Sequence, residues 1–117
     1  MIIFYTGLSF LTMHELDAIR CKEWRVFPGL SLFNDKVGST IFVSAHLPLF
    51  IWVFYILSQT GFETFESFRT GFDIFMIIHV GLHLLLLKNP KNEFKDWFSW
   101  TLISGAGVFG FLDLIFK

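Results

Sequence analysis

The segment Gly71–Leu87 reads GFDIFMIIHVGLHLLLL and decides the fold class. It is almost entirely apolar, and its length falls within the ~17–25 residues that a helix needs to cross the hydrocarbon core of a bilayer. The same character recurs in three further segments, 2–19, 37–58 and 97–116. The sequence therefore predicts an all-α fold, a four-helix transmembrane bundle, in one integral membrane domain over residues 1–117.

The composition is that of a membrane protein. Hydrophobic residues make up 54% of the chain and aromatic residues 20%, whereas charged residues make up only 16%. A soluble domain carries about 25% charged residues. The net charge of −1 provides no basic surface for nucleic acid, so the expected partner is the lipid bilayer. The one cysteine, Cys21, excludes an internal disulfide and a cysteine metal cluster.

The distribution of lysine and arginine predicts the orientation in the membrane, because positive residues concentrate in cytoplasmic loops. Most of the 9 lie in the loops after the first and third spans: Arg20, Lys22, Arg25, Lys36, Lys88, Lys91 and Lys95. We therefore expect loops 20–36 and 88–96 to be cytoplasmic and both termini to lie outside, in a bacterial inner membrane. The first span lacks the basic region and the Ala-x-Ala site of a signal peptide, so we expect a retained helix.

The other polar and small residues are expected to have structural roles. Residues 60–70 are expected to form either a short turn at the membrane interface or a plain loop. Asp73 and Asp113 fall near the outer surface, where a capping or solvated carboxylate is expected. A small-residue patch in the fourth span, Ser104–Gly107 with Gly110, predicts close helix packing. We expect this patch to face the other three helices, with a homo-oligomer through it as the alternative.

Four histidines lie within the spans, namely His14, His46, His79 and His83. At a rise of 1.5 Å per residue, their distances from the basic loops place all four about 8–14 Å below the cytoplasmic edge. The helices that carry them run in alternating directions, so a shared depth is not expected by chance. Ionisable groups inside a membrane usually mark function. This layer of histidines is therefore the strongest functional signal in the sequence.

Two pairs of residues have the spacing of ligands on one helical face. His79 and His83 are four residues apart, and His14 and Asp17 are three apart. Metal sites in helix bundles are built from such side chains on facing helices, and Zn and Fe both accept imidazole together with carboxylate. The predicted metal ligands are His14, Asp17, His46, His79, His83 and Glu23.

Several of these residues have alternative roles. Asp17 could orient the neighbouring histidine through its ring N–H instead of binding the metal. If two ions are bound, Glu15 or Glu23 would bridge them. His46 could simply form a hydrogen bond to a neighbouring helix. Glu15 could pair with a basic residue, and Glu23 could form an ion pair with Arg20 at the interface.

Short motifs along nearly the whole chain carry a family resemblance. They are MHELDAI at 13–19 with EWR at 23–25, GFDIF at 71–75 ahead of the two histidines, and NP at 89–90 leading into EF at 93–94. In these motifs the chain resembles an uncharacterised family of small bacterial membrane proteins, which implies a four-helix membrane protein without an established activity. A looser likeness is to intramembrane zinc hydrolases such as alkaline ceramidases and adiponectin receptors. These also combine a His-x-x-x-His helix with a further His and an Asp, but they have seven spans.

The shared depth of the histidines favours a membrane metalloprotein, with a metal-dependent enzyme for a lipid-like or apolar substrate as the first hypothesis. Zinc would favour hydrolysis, with Asp17 or Glu15 as general base, whereas iron would favour oxidation. A second hypothesis is a haem protein with two axial histidines from different helices. A third is a proton or metal-ion pathway with Asp73 and Asp113 at its entrance. A structural subunit of a larger complex is the fourth.

Overall fold

A computed structural model describes residues 1–117, and it contains four α-helices and no strands. The helices are α1 (Ile2–Arg20), α2 (Asp35–Leu57), α3 (Glu63–Leu85) and α4 (Trp97–Phe116), with two short 3-10 turns at Glu23–Arg25 and Leu30–Leu32. The predicted four-helix bundle is confirmed. Three of the helices, α2, α3 and α4, are long and apolar enough to cross a membrane. α1 is not one of these three, because it carries the charged residues that precede the first loop.

Side-chain caps define where two of the helices begin. The side chain of Asn34 accepts a hydrogen bond from the Val37 N–H at the start of α2, and Asp96 accepts one from the Ser99 N–H at the start of α4. Such caps satisfy backbone donors that have no partner inside the helix. α3 differs from the prediction, because it begins at Glu63 and includes most of the segment expected to be a separate turn or loop.

α4 is the central helix, and it packs closely against α1 and α3 of the same chain. A Cβ atom added at Gly105 would lie 2.6 Å from the ring of Phe10 in α1, and one added at Gly107 would lie 2.5 Å from Val80 in α3. The small-residue patch therefore serves packing within the chain, which is the arrangement favoured from the sequence. Small residues allow helices to approach closely where lipid supplies no hydrophobic driving force.

Alanine at Gly110 is expected to destabilise the bundle by about 1–3 kcal/mol, as overpacking does elsewhere. An added Cβ would lie 2.9 Å from the backbone carbonyl oxygen of Asp73, which cannot move without shifting α3. The matched control is Gly81→Ala, since no atom lies within 4 Å of a Cβ at Gly81. We expect this control to be neutral or stabilising, because alanine favours a helix over glycine by about 1 kcal/mol. The stability of each variant is measured from its helix content during an SDS titration. Equal stability of the two variants would contradict the packing described here.

α2 buries apolar side chains against the rest of the bundle only near its two ends. At the loop end, Phe42 and Gly38 are buried against Trp24. At the other end, Val53 and Ile56 belong to an apolar cluster with residues of α1 and α3. None of the residues 43–52 between these contacts is buried. The middle of α2 therefore has little apolar packing against the other helices, although His46 there lies 2.8 Å from Glu15 of α1.

The end of the bundle away from the two basic loops contains a buried ion network. The guanidinium of Arg69 donates to both carboxylate oxygens of Asp113, at 2.6 and 2.7 Å, and both residues are buried. Asp73 is fully buried beside them, with Lys117 Nζ 3.3 Å from one of its oxygens. The expectation that Asp73 and Asp113 are capping or solvated residues was therefore wrong. Asp73 lies well inside α3, and Asp113 is neutralised by a residue of another helix.

Candidate metal centre

Three histidines from two helices meet in the interior of the bundle. His14 comes from α1, and His79 and His83 come from successive turns of α3. One ring nitrogen from each lies within 4.8 Å of those of the other two, which is a separation that one metal ion can bridge. The ring centroids are 4.7–4.8 Å apart in all three pairs. All three side chains are buried.

The hydrogen-bonding capacity of these histidines is largely unused. Both ring nitrogens of His14, Nε2 of His79 and Nδ1 of His83 are buried without a hydrogen-bond partner. Buried polar side-chain atoms usually have a partner, so this concentration of unpaired nitrogens requires an explanation. Neutral imidazole is the donor that zinc and iron accept most readily. The residues present therefore fit a transition-metal ion.

Packing around the three rings explains why they converge. The i, i+4 spacing places His79 and His83 on the face of α3 that looks toward α1. Phe94, from the loop before α4, covers the site, with its ring 4.6 Å from that of His83 and 5.3 Å from that of His14. Phe94 is almost fully buried, and no role at the site was predicted for it from the sequence. Its place in the short motif EF at 93–94, in the loop after the third span, was the only sequence signal for it.

Glu23 is the carboxylate nearest to the three histidines. Its Oε1 lies 3.8 Å from Nε2 of His83, and its side chain is almost completely buried by the first loop. Burial, and secondarily the negative charge of Glu15, raises the pKa of Glu23 to about 8. Because Nε2 of His83 faces Glu23, Nδ1 is the nitrogen left to face the other two rings. The alternative ion pair between Glu23 and Arg20 is not formed, since Arg20 binds Asp17 and Asp96 instead.

His46 lies outside the group of three histidines, although it shares their depth. Its Nε2 lies 2.8 Å from Oε2 of Glu15, and its Nδ1 lies 2.7 Å from the backbone carbonyl of Phe42. A carbonyl can only accept, so Nδ1 carries a proton and one further proton lies between Nε2 and Glu15. The structure thus places His46 and Glu15, predicted as a ligand and a general base, in a pair that links α2 to α1.

Asp17 also turns away from the histidines. One of its carboxylate oxygens accepts from Arg20 Nε at 2.7 Å, and the other accepts from the hydroxyl of Ser99. Ser99 is fully buried at the start of α4, and no role was predicted for it from the sequence. These bonds join α1 to α4 beside the metal centre, so the carboxylate of Asp17 is already occupied.

One known protein family matches the chain over its whole length. The model of DUF6713, a family of unknown function, matches residues 1–117, which include all three histidines. The chain belongs to DUF6713. The resemblance to an uncharacterised family is thereby confirmed, while the likeness of this DUF6713 chain to intramembrane zinc hydrolases remains a prediction. No curated protein and no solved structure matches it.

Proposed function

We propose that this chain is a membrane metalloprotein that holds one divalent transition metal between His14, His79 and His83. The observation that carries the proposal is the set of buried, unpartnered imidazole nitrogens within 4.8 Å of one another. Burying three polar rings without partners costs several kcal/mol, at roughly 1–3 kcal/mol for each unsatisfied group. A metal ion offsets most of that cost, because one nitrogen of each ring then has a ligand bond and only the second nitrogen of His14 is left without a partner.

We further propose that the metal serves chemistry on a lipid-like or apolar substrate, hydrolysis if it is zinc and oxidation if it is iron. Three protein ligands is the number found in catalytic zinc sites, which keep a position open, whereas structural sites use four. An apolar cavity between the helices ends at Phe75, whose ring is 5.4 Å from that of His79. The chain would thus bring an apolar molecule to within one side chain of the metal centre.

Among the predicted bases, Glu15 is better placed than Asp17 to move a proton. Glu15 lines the apolar cavity and shares a proton with His46, whereas Asp17 is held by Arg20 and Ser99 on the opposite side of α1. Glu15 can therefore accept a proton from a group in the cavity, and the hydrogen bond from His46 can stabilise the protonated pair. Glu23 is suited to a different role, which is to fix the ring of His83.

Elemental analysis of the purified protein tests the proposal. Protein prepared without chelators is expected to contain about one zinc or iron per chain, the number that three ligands can hold. Protein that is metal-free and also takes up neither Zn²⁺ nor Fe²⁺ when these are added would contradict it. An absorption spectrum of the same sample detects haem.

The alternative functions have less support. Haem requires a flat slot between two axial ligands, but the three rings contact one another edge to face, and His46 is engaged by Glu15. A pathway for protons or metal ions would have to connect Asp73 with the histidines. Met76 is fully buried between them on α3, in an apolar cluster with Leu11 and Ala106.

We also propose that loops 20–36 and 88–96 face the cytoplasm from a bacterial inner membrane, with both termini outside. In support, the two loops lie together at one end of the bundle, where Arg20 approaches Asp96 at 3.1 Å and Arg25 approaches Glu93 at 3.7 Å. Their excess of basic residues then falls on one side of the membrane, as the positive-inside rule requires.

Thiol labelling in intact cells is expected to report this orientation. Native Cys21 is buried and therefore a poor target, so exposed positions are needed. A cysteine at Thr60, between α2 and α3, should react with a membrane-impermeant maleimide added outside. A cysteine at Lys91, in the second basic loop, should react only after the membrane is permeabilised. The reverse pattern would overturn the orientation.

A further inference from the structure

The gap beside the middle of α2 contains a large cavity. It has a volume of about 600 Å³ and lies between α1, α2 and α3. Sites for small molecules usually measure ~300–1,000 Å³. Its walls are mainly apolar and aromatic, formed chiefly by Leu8, Leu11, Phe50, Phe68, Phe72 and Phe75. A second cavity of about 250 Å³ lies along the other side of the contact between α1 and α2.

Two polar residues of this gap lie where the two cavities meet, while Ser67 and Trp52 add a hydroxyl and an indole N–H to the larger cavity alone. Thr12 and Glu15 line both cavities, and His46 lines the smaller one. The hydroxyl of Thr12 already donates to the backbone carbonyl of Leu8, at 2.8 Å, so its oxygen can only accept a further bond. Oε2 of Glu15 is bound to His46, whereas Oε1 forms no hydrogen bond. Where the two cavities meet, the gap therefore presents two acceptors that a donor on its occupant can bind.

The charges around the gap restrict what that donor can belong to. No lysine or arginine lines either cavity, so the phosphate of a phospholipid would have no cationic partner there. Glu15 and His46 share one proton and together are neutral, so they do not attract a strongly charged head group. An uncharged hydroxyl can donate its one hydrogen to one of these acceptors without burying a charge. The apolar walls suit a hydrocarbon chain.

We propose that the gap between α2 and the rest of the bundle binds a neutral lipid with a free hydroxyl group, such as a monoacylglycerol or a long-chain alcohol. The hydroxyl donates to Glu15, and the chain fills the apolar cavity toward Phe68 and Phe72. The role of this lipid as a substrate rests on the proposed function, because only a metal at His79, on the far side of Phe75, would act on it. Lipid binding itself does not depend on the metal.

Photo-crosslinking of the purified full chain tests the site. The probe is monooleoylglycerol with a diazirine in its acyl chain, and the comparison probe is oleyl phosphate with the same diazirine. We expect monooleoylglycerol to label peptides of α1, α2 and α3 that line the cavity, and oleyl phosphate to label them at least about tenfold less, equivalent to a 1.4 kcal/mol difference in affinity. Equal labelling by both probes would overturn the neutral head group, and labelling outside the cavity would overturn the site.

A matched pair of glycines on α3 provides the variants. Gly71 lines the cavity and Gly81 lines neither cavity, and a Cβ at either position meets no atom within 4 Å. Gly71→Phe should fill the cavity and lower monooleoylglycerol labelling about tenfold, whereas Gly81→Phe should leave it unchanged. Equal labelling of the two variants would count against the site. If Gly71→Phe fails to fold, the mapping of crosslinks in the unaltered chain still decides.

Treatment of the unaltered protein with a chelator separates this inference from the proposed function. We expect labelling by monooleoylglycerol to persist after the metal is removed, because no metal ligand lines the cavity. A protein that is purified without metal, takes up neither Zn²⁺ nor Fe²⁺ and still binds the lipid at the gap would reject the metalloprotein and support the lipid site. A protein that binds metal but is labelled nowhere in the gap would do the opposite.

Discussion

Replacing His79 with alanine is expected to lower the affinity of the protein for zinc by more than about 100-fold, since loss of a group that only supports a ligand already costs ~10–100-fold. The same result is expected for His14→Ala and His83→Ala, because each supplies one of the three converging nitrogens. The fold should persist, because the helices α1, α3 and α4 pack through extensive apolar clusters. Zinc titration of the purified variants measures the affinity for the metal, and circular dichroism measures whether the fold persists.

His46→Ala is the matched control for this series. It removes a histidine of similar depth in the bundle, but one whose Nε2 is bound to Glu15 and does not face the other three rings. We expect this variant to retain its metal. Retention of metal by His79→Ala, or its loss from His46→Ala alone, would show that the site is built differently from the arrangement described here.

The second large effect concerns the buried pair between Arg69 and Asp113. Arg69→Met is expected to destabilise the protein by about 3–5 kcal/mol, because it leaves the carboxylate of Asp113 buried without its partner. The double variant Arg69→Met with Asp113→Leu should recover most of this loss, since an apolar pair needs no compensating charge. Unfolding in SDS, followed by circular dichroism, measures the series.

An exposed ion pair of the same kind provides the comparison. Arg25 and Asp35 are paired in the first loop, with 34% and 50% of their side chains exposed. Arg25→Met is therefore expected to destabilise the protein far less than Arg69→Met, because solvent screens an exposed pair. A similar loss from Arg25→Met and Arg69→Met would mean that the burial of the second pair contributes nothing.

Most of the helix boundaries were legible in the sequence because they follow the apolar runs. α1, α2 and α4 begin and end within two residues of the predicted spans. The start of α3 was missed because residues 63–70 are rich in charge and resemble a loop. Arg69 becomes buried only through Asp113, which is 44 residues away in the chain. A contact of that range leaves no trace in local periodicity.

The sequence predicted how deep in the membrane the histidines lie, but not which way each side chain points. Counting residues from the basic loops places His14, His46, His79 and His83 in one layer, but it does not fix how each helix is rotated about its axis. The i, i+4 pair on α3 and His14 on α1 face each other, whereas His46 faces Glu15 on a different side of α1. Rotation is set by packing between helices, and α2 has little packing along its middle to reveal it.

The separation of α2 from the other helices divides the protein into a rigid part and a compliant part. Local opening occurs most readily where few apolar contacts are buried. Outward movement of α2 breaks the His46–Glu15 pair and the contacts of Val53 and Ile56, and it should still cost less free energy than movement of any other helix. Its loop end is held near Trp24 and Asp35, which would act as the hinge. The three histidines belong to α1 and α3 alone, and they would keep their geometry throughout such a movement. A molecule could thus enter sideways from the bilayer while His14, His79 and His83 stay together.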